Sequence, residues 1–396
     1  MKQSPSNLYL SSLGIISPLG TGVTDVLHNL LKGSQQGIIK EQNLLLDGEV
    51  IVGKVKDQLP AISSQYSHYD CRNNQLALAA LSQISSDVNQ LIERYGKDRI
   101  AVVLGSSTAG ILEGELALKD YLTNGQFPEH HHFKKQEMGS VADFLAHYLG
   151  LTNIAITIST ACSSSGKAFS SARNYIQAGV CDAAIVGGVD SLCKLTINGF
   201  TSLESVSPEI CNPFSRNRKG ITIGEGAALF ILDKQESDIK LLGIGESSDA
   251  YHMSAPHPEG EGAEKAIRAA LLDAGLAAEQ IDYVNLHGTA TPKNDLMESM
   301  AMHRIFGPDI PCSSTKPMTG HTLGAAGAIE LAHCWLTLSS LNSHQLLPPH
   351  IWDHQQDESL QPLNLVESAA TGNTARVMSN SFAFGGSNVS IILGKV

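Results

Sequence analysis

Residues 153–179 read NIAITISTACSSSGKAFSSARNYIQAG, and the change of period inside this stretch decides the fold. β-branched residues alternate from Ile154 to Ile158, small residues follow at Ser159–Ala161, and an amphipathic run then continues to Gly179. Period two giving way to period 3.6 across a small-residue turn reads as strand, sharp turn and helix. Cys162 falls on the turn at the head of that helix, where the macrodipole and free backbone N–H groups favour a thiolate. Ser163, Ser164 and Ser165 are expected to keep the approach to the sulfur open. Taken alone, the segment fits a nucleophile on an elbow and equally a buried packing cysteine, the usual fate of a free thiol. The six other cysteines (71, 181, 193, 211, 312 and 334) have no such setting and read as packing residues.

The same alternation extends outward. Strands are expected at 100–104 (IAVVL), 154–158, 183–189 (AAIVGGV) and 281–286, and helices at 163–178, 263–274 and 325–341, which is an α/β pattern. With 396 residues the chain exceeds what a single hydrophobic core supports, so two core-forming halves are expected. KGITIGEGAALFIL (219–232) and FAFGGSNVSIIL (382–393) echo each other, each an apolar run, a glycine turn and a strand. The echo points to a duplicated architecture divided at the charged stretch DKQESDIK, giving halves 1–238 and 239–396.

Composition narrows the function classes. The formal net charge of −12 argues against a nucleic-acid binder, which carries a basic face. Lys134–Lys135 and the group Arg216, Arg218 and Lys219 read as solvated surface charge. The opening MKQSPSNLYLSSLGIISPLG has no sustained apolar run, so neither a signal peptide nor an anchor is expected. No stretch approaches the roughly 20 apolar residues of a membrane span. Seven cysteines without a CxxC pair argue against a disulfide framework and a zinc site, so a reduced, cytoplasmic protein is expected. His130–His132 lacks an accompanying ligand cluster and reads as a solvated loop.

Two further segments carry chemistry. In IDYVNLHGTATPKND (281–295) a strand ends at His287, at the carboxyl end where α/β sheets hold ligands, and Thr289 and Thr291 follow in the loop. In SSTKPMTGHTLGAAGAIE (313–330), Lys316 and His321 lie in a glycine-rich loop that opens a helix containing Glu330. The lysine precedes the glycines, which is the wrong order for a phosphate-binding loop, and no dinucleotide fingerprint is present. One cysteine and two histidines on separate loops suit acyl transfer to carbon: the thiolate takes an acyl group, and two imidazole N–H donors stabilise an enolate.

With these segments assembled, the chain resembles the ketosynthases (3-oxoacyl-acyl-carrier-protein synthases) of bacterial type II fatty-acid and polyketide systems, within the thiolase-like superfamily. The resemblance spans LSSLGIISPLG, TACSSSG, NPFSRNRKGITIGEGA, LHGTATPKND, KPMTGHTLGAAGAIE and NSFAFGGSN, nearly the whole length. It implies a five-layered αβαβα fold of two similar halves, and a dimer made of two identical chains or of this chain with a chain-length-factor-like subunit. It implies Cys162 as nucleophile, His287 and His321 as the decarboxylation pair, and Lys316 and Glu330 as organising residues. Thr289 and Thr291 would bind the phosphopantetheine arm, Phe384 would gate the site, and Phe200 and Thr108 would contact the acyl chain. The N–H groups of Cys162 and Phe384 would form the oxyanion hole. No cofactor of its own is implied, since phosphopantetheine arrives on the acyl carrier protein, and no metal.

The alternative within the resemblance is a non-catalytic chain-length-factor-like scaffold, against which the retained Cys162 speaks. Departures from the family pattern are Ala383 before the gating phenylalanine, Ser215 and Lys219 in place of aspartates, Thr108 in place of a larger residue, and a thin basic cluster around Arg72. They point towards a specialised enzyme extending polyunsaturated or aryl-polyene-like chains.

Overall fold

The computed structural model describes residues 7–396, so the first six residues of the opening segment lie outside it. The first half contributes β1 (Leu8–Ser17), β2 (Ile100–Gly105), β3 (Ala155–Ile158), β4 (Ala183–Asp190) and β5 (Gly226–Asp233). The second contributes β6 (Ile239–Ser248), β7 (Tyr283–Asn285), β8 (Pro311–Ser313), β9 (Arg376–Phe382) and β10 (Ser387–Lys395). In space the first set runs β1-β5-β4-β2-β3 and the second β6-β10-β9-β7-β8, the same order of first, fifth, fourth, second, third. In each set the first two pairings are antiparallel and the last two parallel. Each first strand even carries a register shift at the matching place, between Leu10 and Ser12 and between Leu241 and Gly243. β1 and β6 pair at Leu8↔Leu241 and Tyr9↔Lys240, which joins the halves edge to edge.

The period-two pattern of the strands sorts side chains into layers. β2 sends Ala101 and Val103 into a central core and Ile100, Val102 and Leu104 into an outer one. β10 likewise divides Val389, Ile391 and Leu393 from Ile392. Helices α1 (Arg72–Gln83) and α2 (Ser140–Leu149) cover the first outer face, and α4 (Glu261–Ala274) and α5 (Pro292–Phe306) the second. Between the sheets lie α3 (Ser164–Gln177) and α6 (Ala326–Leu338), so the stack is helix, sheet, helix, sheet, helix. Each fully buried Val, Leu or Ile in these cores contributes about 1.5–3 kcal/mol.

The central helices approach closely because both carry glycine at the crossing: a Cβ on Gly327 would stand 2.9 Å from the Gly166 nitrogen. Helix α6 ends at Leu338, before the expected 341, because Ser339 is extended (φ −61°, ψ 149°). The echoing segments hold the fifth strands, β5 and β10, at equivalent places in the two halves. Among the described residues no helix is long and apolar enough to cross a membrane.

Two of the basic groups depart from the expectation of solvated charge. Lys135 is buried, and Arg218 is paired with Asp357 at 2.5 Å and mostly covered. Packing against neighbouring residues removes these two side chains from water, whereas Lys219 stays exposed beside Glu209.

Candidate active site

The elbow between β3 and α3 turns through Ala161, which is held at φ 52°. That left-handed conformation costs a non-glycine residue of order 1 kcal/mol and persists only where surrounding bonds enforce it. They are supplied here by the serines: the Thr160 N–H donates to Ser164 Oγ (2.8 Å), and Ser165 Oγ accepts the N–H of Ala328 at the head of α6 (2.9 Å). Ser163 Oγ lies 3.0 Å from Ser387 Oγ. All three serines are fully buried: Ser163 and Ser165 tie the elbow to the second half and Ser164 braces the turn itself, so they do not keep an approach open.

The three separated segments converge at the sulfur. His321 Nε2 lies 3.0 Å from Cys162 Sγ, and one ligand-type atom from each of Cys162, His287 and His321 lies within 4.8 Å of the others. Second bonds set the tautomers. The Leu323 N–H donates to His321 Nδ1 (3.3 Å), and the Lys316 ammonium stands 3.5 Å from His287 Nδ1. With Nδ1 accepting in each ring, a neutral imidazole carries its proton on Nε2. Lys316 Nζ also donates to the His287 carbonyl and to Glu330 Oε1, in an ion pair buried on both sides. Lys316 therefore reaches the site through His287 and Glu330.

Burial dominates the electrostatics. It lowers both histidines well below their usual 6.5, with the Lys316 charge acting in the same direction, so both rings are neutral. Glu330 is pushed up by burial to about 7 against the opposing pull of Lys316. The Cys162 thiol is pushed up by burial to about 11, while Lys316 and the N–H groups of Phe384 and Cys162 pull it down. The sequence expectation of a favoured thiolate thus meets a desolvation cost that the helix terminus does not offset. The three-atom spacing would also suit a metal ion, but both Nε2 atoms are protonated donors and an ammonium stands behind them, which fits an oxyanion better.

A cavity of about 270 Å³ opens on Cys162, His287 and His321 and is lined further out by Thr289, Thr291, Phe200 and Phe384. The threonine hydroxyls lie 3.0 Å apart, and the Phe200 and Phe384 rings stand 5.7 Å apart. Ala383 adopts φ −95°, ψ 154°, which any residue accepts, so alanine there introduces no backbone strain. Thr108 is absent from this cavity wall: its hydroxyl donates to Asp190 Oδ1 (2.8 Å) and accepts the Ser191 N–H (3.0 Å). Arg72 is turned inward, donating from Nε to Glu225 Oε2 (2.8 Å) and from a terminal nitrogen to the Val55 carbonyl (3.2 Å). Ser215 donates to Asp353 Oδ1 (2.8 Å), and Lys219 pairs with Glu209 at the surface (3.2 Å).

Sequence reasoning missed the carboxylates that hold the histidine loops. Glu298 accepts the N–H groups of His287 and Gly288, both at 2.7 Å. Asp295 accepts those of Phe214 (2.7 Å) and Ala290 (3.2 Å). Burial pushes Glu298 to about 7 and Asp295 to about 6. The signal was available in their spacing, since Asp295, Glu298 and Ala301–Met302 lie on one stripe of α5, placing two carboxylates on its buried face. The stretch 219–232 also has a purpose its strand pattern does not show. The His321 N–H donates to the Thr222 carbonyl (2.6 Å), and the Gly224 N–H to the His321 carbonyl (2.9 Å).

A five-layered sandwich of duplicated halves, with a cysteine and two neutral histidines at a central elbow, defines a thiolase-like condensing enzyme. Residues 11–238 match the beta-ketoacyl synthase N-terminal domain and residues 239–352 the corresponding C-terminal domain, and the chain belongs to that family. It is similar to the 3-oxoacyl-[acyl-carrier-protein] synthase 2 of Coxiella burnetii, at 32% identity over 98% of each chain. The enzyme of that name from Staphylococcus aureus is 30% identical over 98% of this chain and 97% of its own. A chain of the solved complex between a ketosynthase and its chain length factor from Xenorhabdus doucetiae is 46% identical over the full length of both, with a TM-score of 0.95.

Proposed function

We propose that this chain catalyses decarboxylating Claisen condensation between an acyl group carried on Cys162 and a malonyl group on acyl carrier protein. The observation that carries this reading is the convergence of Cys162 Sγ with one ring nitrogen each of His287 and His321 within 4.8 Å, in the lining of a cavity. Cys162 sulfur attacks the acyl-carrier thioester, forming the acyl-cysteine and releasing the carrier thiol. Malonyl-carrier thioester then loses CO2, and the two electrons of the broken C–C bond pass into an enolate whose oxygen is met by the Nε2–H groups of His287 and His321. The enolate carbon attacks the acyl-cysteine carbonyl. Its oxyanion is held by the N–H groups of Cys162 and Phe384, and collapse expels the Cys162 thiolate to leave 3-oxoacyl-carrier thioester. Lys316 and Glu330 orient His287 without bonding to substrate.

The phosphopantetheine arm belongs to the carrier protein and would be hydrogen-bonded by Thr289 and Thr291, which line the cavity. Residues 1–238 and 239–396 are the two units of this reading, one supplying the nucleophile and the other both imidazoles. The 46% identity to a chain of a ketosynthase–chain length factor complex supports a partner subunit of that type and a specialised pathway such as polyene or aryl-polyene extension. A cytoplasmic setting accords with seven cysteines, all unpaired. Thr108 is bonded to Asp190 and lies outside the lining of this cavity. Incubation with acyl- and malonyl-carrier proteins and analysis of the thioesters tests the reaction: a 3-oxoacyl product is expected, and its absence with and without the partner subunit contradicts it. Better activity on saturated medium-length chains than on unsaturated ones would contradict the pathway.

A further inference from the structure

We infer that Asp190 is a positioning residue that sets the tautomer and place of His321; the inference rests on the condensing role above. Asp190 ends β4, is fully buried and has no cationic partner among its hydrogen bonds. Its Oδ1 accepts four donors from one loop: the N–H groups of Ser107 (2.7 Å) and Thr108 (2.8 Å) and the hydroxyls of Ser106 (2.9 Å) and Thr108 (2.8 Å). Its Oδ2 accepts a single donor from the other half of the molecule, the Ala325 N–H at 3.0 Å.

The one bond across the halves matters because of what stands beside it. Ala325 closes the turn Leu323–Ala325 that follows His321, and the Leu323 N–H in that turn donates to His321 Nδ1. Leu323 sits at φ 52°, a conformation that needs outside support, and no side chain caps the turn. The turn is clamped from the same side by contact: a Cβ on Gly324 would stand 2.7 Å from Ser107 Oγ and 2.8 Å from the Ser106 carbonyl carbon. Asp190 thus holds the loop 106–108 with one oxygen and presses the His321 turn against it with the other. Release of Ala325 frees Leu323, and the His321 proton is then no longer confined to Nε2, the atom that faces the sulfur and the enolate.

Asp190→Asn separates the two jobs. Its carbonyl oxygen can still receive the four donors of the loop, but its amide then meets the Ala325 N–H as donor against donor. Ala325→Pro removes the same bond from the other side, together with the bond the Ala325 N–H shares with the Thr322 carbonyl (3.0 Å), at a φ of −78° that proline accepts, and carries the test if the first variant does not fold. Ser106→Ala removes one donor from Oδ1 and serves as the control for a merely structural effect. The readouts are malonyl-carrier decarboxylation and the 15N shifts of the His321 ring. Both Asp190→Asn and Ala325→Pro are expected to slow decarboxylation roughly 10- to 100-fold, the scale of a displaced catalytic group, and to mix the ring tautomers. Ser106→Ala is expected to remain close to wild type in both. Unchanged tautomer and rate in the folded Asp190→Asn protein, or equal losses in Ser106→Ala, overturn the inference. A wild-type protein that does not decarboxylate malonyl-carrier overturns the condensing role instead, and the ring shifts still decide the role of Asp190.

Discussion

At the scale of single residues, burial sets the chemistry. Cys162 is 5% exposed and its thiol is pushed up by burial to about 11, so at neutral pH the sulfur is held mainly as thiol. Only the thiolate is nucleophilic, so alkylation of Cys162 by iodoacetamide should rise about tenfold per pH unit between pH 7 and 10. A plateau reached by pH 8 would mean that the helix terminus and the two N–H groups outweigh desolvation. His350 shows the same force on an imidazole: it is buried between the Ser314 N–H and the Pro213 carbonyl, and its value falls to about 4. The folded value lies below the unfolded 6.5, so its contribution to stability is complete above pH 6.5 and lost as pH falls through 4. The loss amounts to about 3 kcal/mol. Denaturant titrations of wild type and His350→Gln should diverge in slope over that window, and parallel curves would contradict the assignment.

At the scale of elements, the site is made by loops clamped to one another by backbone. Gly224 is one such clamp, since a Cβ there would stand 2.2 Å from the Thr319 carbonyl oxygen in the turn before His321. Gly224→Ala should therefore displace His321 and cut condensation by about 100-fold or more, while Cys162 remains open to alkylation. Equal activity would show that the turn gives way without cost. The elbow at Cys162 and the strand end at His287 were legible in sequence because each is a local change of period. Lys316 and His321 were legible as a glycine-rich loop opening a helix. Of the carboxylates that hold the site loops, Asp295 and Glu298 show only in the stripe they share with Ala301 and Met302, while Asp190 bonds to segments remote in sequence, Ser106–Thr108 and Ala325, and nothing in its local spacing marks it. The thin basic cluster noted around Arg72 has its cause in Glu225, 153 positions away in sequence, which turns Arg72 inward. The serines after Cys162 were read as open space, whereas their hydroxyls are the bonds that hold the elbow.

At the scale of the whole molecule, duplication explains why Cys162 and the histidines come from different halves. Each half repeats one strand order, and the central helices α3 and α6 meet face to face at Gly166 and Gly327. The head of α3 carries Cys162, and the turn entering α6 carries His321, so the repeat itself brings them together. Neither half holds the reaction alone, and residues 1–238 expressed without 239–396 should bind no carrier thioester. The echo between 219–232 and 382–393 was the visible part of that duplication, and the equivalence of the remaining strands is carried by topology rather than by similar residues.

The measurement that tests the central claim most directly is intact mass of the protein after exposure to acyl-loaded and then malonyl-loaded carrier protein, for wild type and Cys162→Ala, with the partner subunit present and absent. An acyl adduct on wild type alone, discharged by the malonyl carrier with release of a 3-oxoacyl product, is the predicted result. No adduct under either condition, or an equal adduct on Cys162→Ala, would contradict it.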